Sequence, residues 1–130
     1  MATAAVPAKS RTSKTVLVVD DNPIVRHEVC QVFLSDGFVV CGEAANGREA
    51  IDFVKQVTPD LIILDLSMPV MNGLQAAPEL RKIAPKTVII LFTLYEVDFG
   101  QASKLGIDLI LSKTEPLSSV LDKARALMGN

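Results

Sequence analysis

LIILDLSMPVMNG, at residues 61–73, is the segment around which the chain is organised. Its first four residues are large and apolar, which predicts a short strand buried on both faces, as in a parallel sheet. Turn-forming residues follow, so Asp65 comes where a buried strand ends. In open α/β sheets, ligands bind outside the carboxyl ends of the strands, although a single aspartate there is more often an ordinary turn residue. The meaning of Asp65 therefore depends on the other strand ends.

The composition is typical of one globular domain. The chain has 130 residues, 49% hydrophobic residues and a formal net charge of −2, and roughly two thirds of its unfolded surface would be buried on folding. The slight negative charge argues against direct nucleic-acid binding, and no apolar run approaches the roughly 18 residues of a membrane span. Cys30 and Cys41 have neither metal-site nor redox spacing, which predicts free thiols and a cytoplasmic location.

The N-terminal residues differ in composition from the rest. Residues 1–13 are rich in Ala, Ser and Thr and lack the apolar segment of a secretory signal. We therefore predict a flexible arm at 1–13 and one folded domain at 14–130.

Strand and helix patterns alternate five times along the folded part. The apolar runs predict strands at 15–20, 38–41, 61–65, 87–92 and 107–111. Helical patterns begin near Pro23 and Asn46, cover 73–84 and 96–105, and begin again near Pro116. With right-handed crossovers, this order predicts an α/β fold: a doubly wound five-stranded parallel sheet with helices on both faces.

Four residues shape our expectations for individual helices. Asn46 and Glu49 have the spacing of a capping box. Pro78 cannot donate a backbone hydrogen bond, so it should kink the helix at 73–84 or delay its start. Gly100, placed in the middle of the helix at 96–105, costs about 1 kcal/mol relative to alanine. We therefore expect that helix to be the least stable.

Polar residues stand at four of the five predicted strand ends: Asp20-Asp21, Asp65, Thr93 and Lys113. All strands of a parallel sheet point the same way, so these side chains should meet at one edge. Three carboxylates there repel each other unless a cation joins them, and hard oxygen ligands favour Mg²⁺ over Zn²⁺. A cation, an ammonium group and a hydroxyl together suit a phosphoryl group. Asp65, on the middle strand, is the candidate nucleophile.

The motifs that carry these residues are VVDDN at 18–22, LDLSMPVMNG at 64–73, FT at 92–93 and SK at 112–113. In this order and spacing they resemble the receiver domain of response regulators in bacterial two-component signalling, and the likeness covers about residues 14–128. The resemblance implies the flavodoxin-like, CheY-like fold. It also implies a signalling phosphoacceptor rather than an enzyme.

The resemblance further implies a role for each acidic residue. Asp65 would accept a phosphoryl group from a sensor histidine kinase or a phosphotransfer protein. Asp20, Asp21, Asp65 and the backbone carbonyl of Ser67 would bind Mg²⁺. The phosphorylated domain would then control a downstream protein or an output domain outside this chain, and could form a phosphorylation-dependent dimer. No membrane or nucleic acid is implied as a partner.

The switch residues match the family pattern in part. By resemblance, Lys113 contacts the phosphoryl group and Thr93 moves toward it. The family often has an aromatic residue where this chain has Ile110, and often a proline where it has Thr114. Tyr95 stands two residues after Thr93, and we hypothesise that its ring partly covers the phosphorylated aspartate.

Three other functions are alternatives to that of a receiver. An aspartyl phosphatase generally needs a second acid two residues after the nucleophile, and Ser67 stands there. A flavodoxin-like cofactor binder needs a phosphate loop after the first strand, where Asp20-Asp21 would repel a phosphate. Fold alone does not separate these two from the receiver, but the residues do. A receiver-like interaction module that works without phosphorylation stays open as the alternative, although the complete set of two acids, Asp65, Thr93 and Lys113 argues against it.

Overall fold

The computed structural model describes residues 13–129, so the predicted arm lies outside the described residues apart from its last position. The strands are β1 Thr15–Val19, β2 Val39–Ala44, β3 Leu61–Leu64, β4 Val88–Thr93 and β5 Leu109–Ser112. The helices are α1 Pro23–Ser35, α2 Gly47–Val54, α3 Gly73–Ile83, α4 Phe99–Lys104 and α5 Leu117–Leu127. Within the described part, no helix combines the length and apolar character needed to cross a membrane.

The five strands form one parallel sheet in the order β2-β1-β3-β4-β5. Helices α2, α3 and α4 cover one face, and α1 and α5 cover the other. The predicted doubly wound α/β fold is therefore confirmed. The order places β1 beside β3 at the centre, so the ends of these two strands are neighbours.

The strand β3 shows why its sequence is continuously apolar. Ile62 and Leu64 pack beneath α2, α3 and α4, whereas Leu61 and Ile63 pack beneath α1 and α5. All four side chains are at most 2% exposed. A strand covered on both faces has no position for a polar side chain until it ends, and Asp65 is the first residue after that end.

The predicted bounds of several elements differ from the structure, and those of β2 and α4 differ most. Strand β2 extends to Ala44 instead of Cys41, because its pairing with β1 continues to Val19. Helix α4 begins only at Phe99, after an Asp98 cap. Gly100 therefore lies in the first turn of a short helix, and the mid-helix cost expected for it does not apply.

The helix caps also differ from the sequence pattern. The side chain of Glu49 accepts a hydrogen bond from the backbone N–H of Ala45, at 2.9 Å, so no reciprocal capping box forms at Asn46. A complete capping box instead joins Asn72 and Gln75 at the start of α3. That cap starts the helix at Gly73, five residues before Pro78, so the predicted delay was wrong.

The loop before α3 contains a strained residue. Val70 has φ 69° and a side chain that is 81% exposed. The left-handed region is costly for a β-branched side chain and easier for asparagine. We predict that Val70→Asn raises the free energy of unfolding by about 1 kcal/mol, measured by urea denaturation. Val57→Asn, at an exposed valine without positive φ, is the control. An equal change in unfolding free energy in both variants would contradict backbone strain at Val70.

Candidate functional site

Two buried carboxylates meet where β1 and β3 end. Asp20 and Asp65 are 3% and 5% exposed. The N–H of Asp65 donates to the carbonyl of Val19 at 2.9 Å, which continues the pairing of the two strands up to the acidic residues. Asp21 is exposed and adds a third carboxylate from the solvent side. The structure thus brings together the three acids that the sequence predicted.

Lys113 reaches these acids from the end of β5, two strands away from β3. Its Nζ lies 2.8 Å from Oδ2 of Asp20 and 3.0 Å from Oδ1 of Asp65. The ammonium group also lies 6.0 Å from the ring centroid of Phe92, on the intervening strand β4. Burial by itself would lower the pKa of Lys113, but the hydrogen bonds to Asp20 and Asp65 outweigh it and raise the pKa above its usual value.

The acidic cluster fits a hard divalent cation. One carboxylate oxygen from each of Asp20, Asp21 and Asp65 lies within 4.8 Å of the others. Oxygen atoms this close together could each bind the same Mg²⁺ ion, whose ligands lie about 2.1 Å away. The donor set is entirely oxygen, as Mg²⁺ requires. Ser67 is exposed in the loop two residues after Asp65, and its backbone carbonyl as a fourth ligand stays a prediction.

Burial raises the pKa of Asp65 to about 6 even though Lys113 opposes the rise, and the charge on Asp20 adds to it. The ordinary value is 3.8, so folded protein binds this proton more tightly than unfolded protein. Stability without metal should therefore fall as the pH rises from about 4 to about 6.

A comparison with Asp65→Asn tests this pH dependence, because asparagine cannot ionise. Relative to wild type, we predict that Asp65→Asn gains about 2–3 kcal/mol of unfolding free energy between pH 4 and pH 7 without divalent cations. Urea denaturation across this range measures the difference. Asp122→Asn, at an exposed site on α5, controls for loss of a surface carboxylate. A difference that stays constant with pH would contradict the prediction.

The predicted switch residues lie beside this cluster. Thr93, at the end of β4, is 1% exposed, and its carbonyl accepts the N–H of Lys113 at 2.9 Å. Its Oγ1 accepts the backbone N–H of Tyr95 at 3.0 Å. The Tyr95 side chain is 60% exposed and borders a surface groove with Ser67, so the cover role of its ring stays a prediction. Ile110 pairs with Leu91 and packs, partly buried, against the core cluster on the face of the sheet that α2, α3 and α4 cover.

Sequence reasoning missed one residue of this region. Arg26 lies in α1, and its guanidinium group contacts the backbone carbonyl of Asp20 and the carboxylate of Glu43. No spacing rule connects an arginine on a helix with two strand ends. The Asn72–Gln75 cap, by contrast, has a spacing that could have been recognised.

Comparisons with known proteins agree with this geometry. The family model described as response regulator receiver domain matches residues 16–125. A putative transcriptional regulator of Pseudomonas aeruginosa is 36% identical over 119 residues, which cover 88% of this chain and 56% of that protein. The nitrate/nitrite response regulator protein NarL of Escherichia coli is 38% identical over 118 residues, covering 86% of this chain and 55% of NarL. The chain thus spans little more than half of these relatives.

A solved structure is similar in fold and sequence. It is a response regulator protein from Burkholderia pseudomallei with a phosphorylated aspartic acid, calcium ion and citrate. The two chains superpose with a TM-score of 0.77 at 26% sequence identity, covering 88% of this chain and 72% of that one.

Proposed function

The chain belongs to the response regulator receiver domain family, and from this premise we propose that Asp65 accepts a phosphoryl group in a Mg²⁺-dependent reaction. The observation that carries the proposal is the buried Asp65 carboxylate, with Lys113 Nζ at 3.0 Å and two further carboxylates beside it. The donor is a sensor histidine kinase or a phosphotransfer protein in the cytoplasm. A carboxylate oxygen of Asp65 attacks phosphorus as the bond to the donor's histidine nitrogen breaks.

The residues around Asp65 have different roles in this phosphoryl transfer. Asp20, Asp21, Asp65 and the carbonyl of Ser67 hold the cation, which offsets negative charge on the phosphoryl oxygens when it is bound. Lys113 leaves its contact with Asp65 Oδ1 and pairs with a phosphoryl oxygen instead. The Lys113 side chain is 16% exposed. The phosphoryl group would therefore replace one anionic partner of a mostly buried ammonium group with another.

The output begins at Thr93. In the unphosphorylated domain its hydroxyl accepts the N–H of Tyr95 at 3.0 Å. When Thr93 donates its hydroxyl to a phosphoryl oxygen, it turns away from that N–H and frees the segment that leads into α4. Phosphorylation then shifts the population of this segment toward the active arrangement. A downstream protein or an output domain responds to this conformational change. Dimerisation of the receiver is one way in which the change could reach it.

Two similar proteins support this assignment. The Burkholderia pseudomallei structure holds a phosphorylated aspartic acid and a calcium ion in a chain of the same fold. The E. coli relative is a nitrate/nitrite response regulator nearly twice the length of the matched region. We therefore infer that this receiver is phosphorylated on an aspartate. We also infer that the region beyond the match in such relatives corresponds to the output domain.

Intact-mass analysis tests the proposal. After incubation with Mg²⁺ and acetyl phosphate, we expect one labile phosphoryl adduct on the wild-type protein. Asp65→Asn and a sample treated with a chelator should show none. An unmodified wild-type protein would overturn the proposal and favour an interaction module that works without phosphorylation. An adduct that persists in Asp65→Asn would place the acceptor elsewhere.

A further inference from the structure

We propose that Arg26 is a positioning residue that fixes Asp20 for binding a divalent cation by joining the ends of β1 and β2 to α1. This inference rests on the proposed Mg²⁺ site. One guanidinium nitrogen of Arg26 donates to the carbonyl of Asp20 at 2.7 Å, and Nε donates to Glu43 Oε1 at 2.9 Å. The Arg26 side chain is 21% exposed and that of Glu43 is 51% exposed, so the contact with Asp20 is partly buried and the contact with Glu43 is open to solvent.

The contact with Arg26 completes the set of bonds that hold Asp20. The backbone N–H of Asp20 donates to the carbonyl of Ala44 on β2 at 3.0 Å. Its Oδ1 accepts the N–H of Asn22 at 2.9 Å, and its Oδ2 accepts Lys113 Nζ at 2.8 Å. The carbonyl of this 3% exposed residue would lose its partner without Arg26. The peptide unit after Asp20, which sets the direction of the Asp21 carboxylate as well, would then be free to turn.

The contact with Glu43 explains why arginine suits this position. Glu43 lies on β2, next to the residue whose carbonyl accepts the N–H of Asp20. A guanidinium group offers several N–H groups in one rigid plane and can therefore bind Asp20 and Glu43 together. A lysine keeps the charge, but its single ammonium group on a flexible chain does not hold two acceptors in fixed directions.

Charge and position predict opposite effects on Mg²⁺ affinity. Arg26 places a positive charge on the backbone of a metal-binding residue, where it opposes a bound cation, so removal of this charge alone would strengthen Mg²⁺ binding. Loss of the hydrogen bond from Arg26 to the Asp20 carbonyl would weaken Mg²⁺ binding. Partners that orient metal ligands typically contribute about 10–100-fold to metal affinity, and we expect about tenfold here because Arg26 holds the backbone rather than the carboxylate.

Arg125 provides a matched control at a distance from the acids. It makes the same two kinds of contact, from Nε to the carboxylate of Asp36 and from the guanidinium group to the Asp36 carbonyl at 2.6 Å. Arg125→Gln therefore removes the same charge and comparable hydrogen bonds between α5 and the end of α1. It leaves the ends of β1 and β3 untouched.

Mg²⁺ titrations followed by two-dimensional amide NMR test the inference on wild type, Arg26→Lys, Arg26→Gln and Arg125→Gln. The spectra also report whether each variant is folded, and Arg26→Lys is the milder change. We expect about tenfold weaker binding in Arg26→Lys, which keeps the charge. Arg26→Gln should also bind more weakly than wild type, but by a smaller factor because it loses the charge, and Arg125→Gln should change by less than twofold. Tighter binding in Arg26→Gln with unchanged binding in Arg26→Lys would reduce Arg26 to a charge effect and overturn the inference. So would wild-type affinity in both Arg26 variants.

The same titration separates this inference from the proposed function. If wild-type amides at Asp21 and Lys113 show no saturable shift with Mg²⁺, the proposed metal site fails, and the role of Arg26 fails with it. If wild type binds Mg²⁺ and Asp65→Asn binds it more weakly, the site stands. The Arg26 variants then decide the positioning role alone.

Discussion

Replacing Lys113 with methionine is expected to destabilise the metal-free protein by about 3 kcal/mol at pH 7.5, because it leaves a buried charge cluster without its cation. Asp20 and Asp65 have side chains that are 4% and 7% exposed, and Lys113 Nζ lies within 3.0 Å of both. Methionine fills a similar volume, so the loss comes from the carboxylates and not from a cavity. Urea denaturation in the presence of a chelator measures this change in unfolding free energy.

Two conditions should reduce the cost of Lys113→Met. At pH 5, below the pKa of about 6 for Asp65 in the intact cluster, that carboxyl group takes up a proton and the repulsion falls. Saturating Mg²⁺ supplies the missing positive charge and binds only the folded state, so it also restores stability. The variant should therefore gain more from acid and from Mg²⁺ than wild type does.

Lys123→Met is the control for loss of a lysine from an ion pair. Lys123 contacts Glu115 at 2.8 Å, but its side chain is 49% exposed. Exposed pairs contribute little to stability because water and salt screen them, so this variant should resemble wild type at each pH. Equal losses in Lys113→Met and Lys123→Met would contradict the view that Lys113 neutralises buried charge.

Strand positions could be predicted from the sequence because a strand that is buried on both faces has a continuously apolar sequence. The runs LIIL at 61–64 and VIIL at 88–91 contain no polar residue, and each is followed by the side chains of the site. Parallel pairing then requires those strand ends to meet. The sequence therefore predicts that Asp20, Asp65 and Lys113 lie together at one edge of the sheet.

The features that could not be predicted depend on tertiary contacts or on backbone shape. Arg26 reaches across from a helix to two strand ends, and that distance has no counterpart in local spacing. Val70 takes a positive φ that its β-branched side chain disfavours, so propensity predicts against it. The start of α4 was predicted too early because Asp98, a better cap than any preceding residue, begins the helix there.

Gly73→Ala is expected to destabilise the protein by about 3 kcal/mol or more, because backbone atoms occupy the space that a side chain at this position needs. A Cβ atom at Gly73 would lie 2.2 Å from the carbonyl oxygen of Asp65 and 3.2 Å from Cα of Leu66. Neither atom can rotate away as the end of a side chain could. The start of α3 must therefore move away from β3, or the backbone of Asp65 must move.

Either movement also affects the site. The N–H of Gly73 donates to the carbonyl of Leu66 at 2.9 Å, which ties the first residue of α3 to the residue after Asp65. We expect Gly73→Ala to lose stability in urea denaturation and, in conditions where it stays folded, to form the acetyl phosphate adduct at least tenfold more slowly than wild type, about 1.4 kcal/mol in barrier. Intact-mass measurements over time give this rate.

Gly100→Ala separates the effect of crowding from that of losing a glycine. The nearest atom to a Cβ at Gly100 is Oδ2 of the Asp98 side chain, at 3.1 Å, and the position is exposed on α4. Alanine is also the better helix former, so stability should change by less than about 1 kcal/mol and adduct formation should match wild type. If Gly73→Ala behaved in the same way, the close approach of α3 to Asp65 would not constrain the site, and the fixed position of the acceptor would have to come from Lys113 and the β1–β3 pairing alone.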